Sequence, residues 1–327
     1  MLKNGEIKPK IDLLKCPRIR FLEHRHIAIY LEIRWFLLNE DKLEYLGIQA
    51  WHDRGYFGKG ITIASRESLS PHGRKVLQVI EQICPAANIL YQEDYKTTKA
   101  DIYTTSMFSI TDSNKRYVEK GKEAFINGTF LVCAVGNYED EKQTFLSTLP
   151  FWTSIGACYL YPSGKIKRTE YSSITSDIDY MSITNWKTGS GIFTGTSCAT
   201  PVFASMLVLV QEYFKEKCGR KLTNNELLKF IDKYTVDLED EGHDDRTGNG
   251  VFILPKPEKI DLKEFVGDVV ELTIGSKEAR INDKQVNLDT APIIQDNRTL
   301  VPLRFIAEAL NCDVLWDNER RKVFILK

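Results

Sequence analysis

Short β-branched runs alternate with helical patterns across most of this chain, and that alternation restricts the fold more than any other feature. Gly60–Ala64 (GITIA), Asn88–Tyr91 (NILY), Thr129–Val135 (TFLVCAV) and Trp152–Ala157 (WTSIGA) read as buried strands. Helical patterns begin near Gly73, near Lys115 and at Ser197. Strand and helix in alternation predict an α/β fold, a doubly wound and mostly parallel sheet whose ligand sites lie beyond the carboxyl ends of its strands. The stretch LPKPEKIDLK, residues 254–263, joins two prolines to charged residues and reads as a connection. The expected division is residues 1–45 as an extension or edge segment, 46–255 as the main domain, 256–265 as linker and 266–327 as a small α+β domain. At 327 residues the chain can bury two cores. Ile27–Leu38 is strongly apolar and suits an edge strand and helix packed on the main domain. The small domain shows strand patterns VVELTI and ARIND, a turn at Asp296-Asn297, a helix in VPLRFIAEALN and a closing strand KVFIL.

Charge and composition exclude several classes of partner. Lys plus Arg number 44 against 45 Asp plus Glu, so no global field favours nucleic acid or an anionic membrane. The opening MLKNGEIKPKIDLLKCPRIR lacks the apolar core of a signal peptide, and the expectation is a cytoplasmic protein. Cys16, Cys84, Cys133, Cys158, Cys198, Cys218 and Cys312 are scattered and never spaced as CxxC, which reads as reduced, mostly buried thiols. No metal site is expected. His24 and His26 have the HxH spacing but no third ligand nearby, and read as a surface pair. His52 and His243 sit among polar neighbours and carry no motif, while the acidic run Asp237–Asp245 lacks EF-hand spacing and reads as a solvated loop.

The chemistry-bearing stretch is GTSCATP, Gly195 to Pro201, directly before the apolar helix VFASMLVLVQEYF. Ser197 falls at the start of that helix, where free N–H groups and the positive dipole end favour the negative charge that a serine's attack generates. Pro201 fits the first turn, whose N–H groups lack intrahelical acceptors. A serine before a helix is also an ordinary cap. The heptapeptide as a whole, however, resembles the nucleophile motif of the subtilase family.

Other segments resemble the same family in order: Gly55–Ala64 leading into the first strand, His72-Gly73 opening a helix, Cys84–Leu90, Ala134-Val135-Gly136-Asn137, Leu149-Pro150 through Ala157, Tyr171-Ser172-Ser173 and Gly248–Val251. The resemblance covers roughly residues 45–255 and implies a subtilisin-like serine endopeptidase acting on protein or peptide substrates, with no cofactor. It assigns Ser197 as nucleophile, His72 as general base, and the Asn137 amide with the Ser197 N–H as the oxyanion hole. It also exposes a departure: the acid falls to Glu67, where subtilases carry Asp, and only four residues separate Glu67 from His72. Five residue steps span at most about 17 Å, so a direct strand-to-helix turn can bring the two side chains together. Asp101–Ser109 takes the place of the substrate-binding strand, and the first forty or so residues could serve as an inhibitory segment. The departures at the acid and histidine leave an alternative, a catalytically silent subtilase fold used for binding or assembly. Residues from about 266, with NRTLVPLRFIAEAL and VLWD, resemble the domain named for the copper amine oxidase N-terminus. Copper is not implied, since the segment has no histidine and the single Cys312. The expectation for it is protein–protein contact or self-association. Action inside a bacterial cell, or on phage or particle proteins, is the setting this architecture suggests.

Overall fold

The computed structural model describes residues 39–67, 70–91, 99–106, 115–139, 143–282, 284–309, 312–318 and 320–326. Cys16, His24, His26 and the Ile27–Leu38 run lie outside them. The chain forms two compact units, divided after Lys259.

Two short helices, α1 (Glu40–Tyr45) and α2 (Ile48–His52), lead into strand β1 (Thr62–Ser65). Helix α3 (Pro71–Ile83), β2 (Asn88–Tyr91), β3 (Ile102–Thr105), α4 (Lys115–Ile126), β4 (Phe130–Ala134), β5 (Thr153–Leu160), β6 (Ile166–Arg168) and β7 (Tyr180–Ile183) follow. The hairpin β8 (Trp186–Thr188) and β9 (Gly191–Phe193) then delivers the chain to the long helix α5 (Thr196–Cys218), with α6 (Asn224–Lys233), β10 (Thr235–Val236) and β11 (Val251–Phe252) closing the unit. The main sheet has the order β10-β11-β7-β5-β4-β3-β1-β2, with β6 on the side of β5. Neighbours from β2 to β11 run parallel, and only β6 and β10 are antiparallel additions. The fold is therefore the doubly wound α/β sheet that the alternation predicts.

Side-chain alternation explains why both sheet faces are covered. Tyr103, Leu131 and Cys133 point into a cluster with Ala124 of α4, Leu146 and Trp152. On the other face α5 lies across β3, β4, β5 and β7 and against α3. Helix α5 is apolar all round and is buried from Thr196 to Phe214, so its length and composition reflect a core helix, and Gly219 in the left-handed region ends it. Helix α3 starts because Ser70 caps it, its hydroxyl accepting the Gly73 N–H at 3.2 Å, with Pro71 in the first turn.

One sequence reading changes here, and two gain detail. His52 is buried, not in polar surroundings: its ring stacks on Phe57 at 4.9 Å and its Nε2 lies 2.7 Å from the Ile83 carbonyl. Burial pushes its pKa down to about 4. The division between the units falls inside the expected connection, residues 256–265. The Trp51 indole donates to the Pro255 carbonyl at 2.7 Å, the Tyr213 hydroxyl donates to that of Pro257 at 3.2 Å, and α7 (Leu262–Val266) follows at once. Asn39 to Tyr45 belong to the first unit, where the Asn39 amide donates to Gln82 at 2.9 Å and Leu43 is buried.

The second unit carries β12 (Val270–Leu272), β13 (Glu278–Ile281) and β14 (Lys284–Asn287) as an antiparallel meander. The hairpin β15 (Ile293–Gln295) and β16 (Arg298–Leu300) precedes α8 (Leu303–Ala309), and the hairpin β17 (Asp313–Asp317) and β18 (Lys322–Leu326) ends the chain. Asp296 and Asn297 both adopt positive φ, 52° and 56°, as a tight two-residue hairpin demands. The cysteines among the described residues are free thiols. The acidic run folds on itself, Asp237 accepting from the Leu238 and Gly242 N–H groups and Glu239 pairing with Arg246 at 2.7 Å. Among the described residues no cluster of three metal-ligating side chains occurs.

Candidate active site

The sheet order reverses at β1: the chain steps to β2 on one side and then to β3 on the other. A reversal of this kind opens a crevice at the carboxyl ends of the two diverging strands. Glu67 follows β1 and Ser106 follows β3, so both stand at that crevice.

Glu67 lies two residues past the end of β1 and is 1% exposed. Its N–H donates to the Ser65 hydroxyl at 3.4 Å, which turns the chain back across the strand end. One carboxylate oxygen accepts the Ser106 N–H at 2.6 Å, and the other lies 3.4 Å from His72 Nδ1. A buried carboxylate needs such partners to offset its desolvation. His72 is the second residue of α3, so the cap that starts the helix also sets the imidazole's position. Its ring meets the edge of Phe193 at 5.4 Å and 86°, while its side chain stays 44% exposed. The five-step connection thus brings Glu67 and His72 into contact.

Ser197 is the second residue of α5 and is 5% exposed. Its hydroxyl donates to the Ser106 carbonyl at 3.3 Å, and among the described residues no hydrogen bond joins it to His72. Gly195 caps α5 at φ 91° and ψ 172°, a conformation that favours glycine, and a Cβ there would sit 3.3 Å from the Asn137 amide nitrogen. The Asn137 amide oxygen accepts both the Thr196 N–H at 2.9 Å and the Thr196 hydroxyl at 3.1 Å. Because Thr196 N–H is a donor, the atom facing it must be the oxygen, which leaves the amide NH₂ as the half able to donate elsewhere. The first-turn N–H of Ser197 has no intrahelical acceptor and is a second such donor. Cys198, beside the nucleophile position, is buried, and burial pushes its thiol up to about 12, so it stays neutral.

Two contributors lie outside the site residues assigned from the sequence, although both fall in segments that resemble the family. Ser106 touches both Glu67 and Ser197. Tyr171 braces the nucleophile turn, its hydroxyl accepting the Gly195 N–H at 3.2 Å and its carbonyl accepting the Glu139 N–H at 3.3 Å. The weak Tyr171-Ser172-Ser173 signal could have pointed to that brace. His243 stands apart from this site, its Nε2 lying 2.9 Å from the Ile178 carbonyl.

Residues 248–325 match the copper amine oxidase N-terminal domain. The chain is similar to the major intracellular serine protease of Bacillus subtilis (strain 168), 27% identical over 175 residues, which are 50% of this chain and 53% of the relative. It thus spans about half the length of that curated relative. Among solved structures it is similar to a lanthipeptide protease, with a TM-score of 0.53 at 15% identity over 65% of this chain and 92% of that one. It is similar too to the prenylagaramide maturation protease PagA, with a TM-score of 0.52 at 17% identity over 63% of this chain and 95% of that one. These two likenesses concern the fold. The subtilase family matches residues 86–250, a stretch that includes Asn137 and Ser197 and begins after His72, and the chain belongs to that family.

Proposed function

We propose that this chain is a serine endopeptidase that cleaves protein or peptide substrates through an acyl-enzyme on Ser197. The observation that carries the reading is the Glu67 carboxylate, buried and spanning the Ser106 N–H and His72 Nδ1. A carboxylate on Nδ1 holds the imidazole with its proton there and leaves Nε2 to take the proton of the attacking hydroxyl. Glu67 does this work in place of Asp: its additional methylene and its place two residues beyond the strand let it reach a histidine only five residues on. His72 then acts as base and later as acid to the leaving amine, while the Asn137 amide and the Ser197 N–H receive the oxyanion. The hydroxyl turns from Ser106 toward the imidazole when substrate binds, since catalytic hydrogen bonds are often loose in the free enzyme. Similarity to an intracellular protease supports action inside the cell. A bacterial or phage protein is the proposed substrate, and the second unit is proposed to mediate protein contacts or self-association.

The Ser197 hydroxyl engaged with Ser106 favours a second reading, a silent subtilase fold that binds without cleaving. A fluorophosphonate probe separates the two. Labelling of the intact protein, abolished by Ser197→Ala, supports the peptidase, whereas a well-folded protein that resists labelling overturns it.

A further inference from the structure

Helix α5 begins with a gap in its own hydrogen bonding. Pro201 is the sixth residue of α5 and not in the first turn where the sequence reading places it, so in the i to i−4 pattern its amide would serve the carbonyl of Ser197, but proline has no N–H. The carbonyl of the nucleophile is nonetheless satisfied, because the Ser106 hydroxyl donates to it at 2.8 Å. The same residue receives the Ser197 hydroxyl on its own carbonyl at 3.3 Å and donates its N–H to Glu67 at 2.6 Å. Ser106 is 1% exposed, so these bonds are made away from competing water. All three of its polar groups are therefore spent on the two ends of the proposed triad.

We propose that Ser106 is a positioning residue. Its hydroxyl replaces the amide that Pro201 lacks and ties the nucleophile's backbone to the strand end that also holds the Glu67 carboxylate. The inference rests on the peptidase reading of Ser197. Without the hydroxyl, the Ser197 carbonyl has no donor and the first turn of α5 is free to shift. Small displacements of a nucleophile cost rate steeply, about 100-fold for 1 Å.

The test measures saturable labelling of the full chain by a fluorophosphonate. Ser106→Ala is expected to lower the maximal labelling rate about 10-fold with the half-saturating concentration unchanged, since orientation rather than binding is lost. Pro201→Ala supplies the missing N–H, so in that background Ser106→Ala should cost about twofold or less. Ser106→Thr keeps the hydroxyl and should label within about threefold of the wild type. The proposal is overturned if Ser106→Ala labels at the wild-type rate, if it loses the same factor in both backgrounds, or if a folded Ser106→Thr is as slow as the alanine variant. Should Ser106→Ala fail to fold, recovery of folding and labelling on adding Pro201→Ala supports the proposal, and no recovery overturns it. A wild type that never labels removes the peptidase reading itself, an outcome distinct from a labelled wild type indifferent to Ser106.

Discussion

Two carboxylates staple β1 to β3 at opposite ends. Asp101, just before β3, accepts the N–H of Thr62 at the start of β1 at 2.8 Å. Glu67, just after β1, accepts the N–H of Ser106 beyond the end of β3 at 2.6 Å. What differs is the second oxygen of each. That of Asp101 pairs with the half-exposed Lys221, on the rim of a hollow of about 920 Å³ whose Arg220 is likewise paired with Glu226. That of Glu67 faces an imidazole. The amino-end hollow is roomy but its acid–base pairs are closed on each other, and the carboxyl end holds a buried carboxylate directed at a half-exposed histidine. Chemical capacity follows from which polar atoms stay directed at a titratable group, and volume is a poor guide to it.

The contrast is broken most directly by Glu67→Gln. The amide keeps an acceptor for Ser106 N–H but presents no anion to His72, and fluorophosphonate labelling should fall about 10³–10⁴-fold with the fold intact by circular dichroism. A loss under about tenfold would reduce Glu67 to a strand staple like Asp101. Acid sharpens the comparison by separating lost chemistry from lost fold. The His52 pKa is lowered from 6.5 to about 4, so the unfolded chain takes up a proton that the native one refuses. Its stabilisation is complete above pH 6.5 and is lost as pH falls toward 4, about 3 kcal/mol in all. Urea midpoints measured between pH 7 and pH 4.5 should drop accordingly, and His52→Gln should flatten that drop. Asp101→Ala removes a carboxylate from one N–H and one lysine and should cost about 1–2 kcal/mol, with labelling within twofold of the wild type. A loss of labelling as large as that of Glu67→Gln would erase the distinction between the two ends. Arg220→Met, at an exposed pair, should change stability by less than about 1 kcal/mol, with the effect fading in high salt.

The sheet was legible because its strands are short, buried on both faces and separated by turn residues, as in Gly60–Ala64 and Thr129–Val135. The placement of Ser197 at a helix start and of Asn137 just after a strand was legible because glycines at Gly195 and Gly136, both at positive φ, are part of the backbone around them. The bonds of Ser106 were not, since two of them are made by its peptide N–H and carbonyl, and any residue at a strand end offers those. His52 was misread because its neighbours Asp53 and Arg54 are polar, yet a five-residue helix turns its side chain inward beside Phe57. Thr223 with Glu226 forms a capping box that starts α6, a signal carried by the sequence itself. What the connection's carbonyls meet was not legible, because prolines and charges describe a segment's solubility and say nothing of its hydrogen-bond partners.

The clasp formed by Trp51, Tyr213 and the carbonyls of Pro255 and Pro257 bears on how the first unit is to be produced by itself. A truncation ending before Leu254 would remove the Pro255 and Pro257 carbonyls to which the indole and the phenol donate, inviting aggregation during purification. Ending after Lys259 keeps both acceptors, and with them a soluble fragment on which inhibitors could be screened.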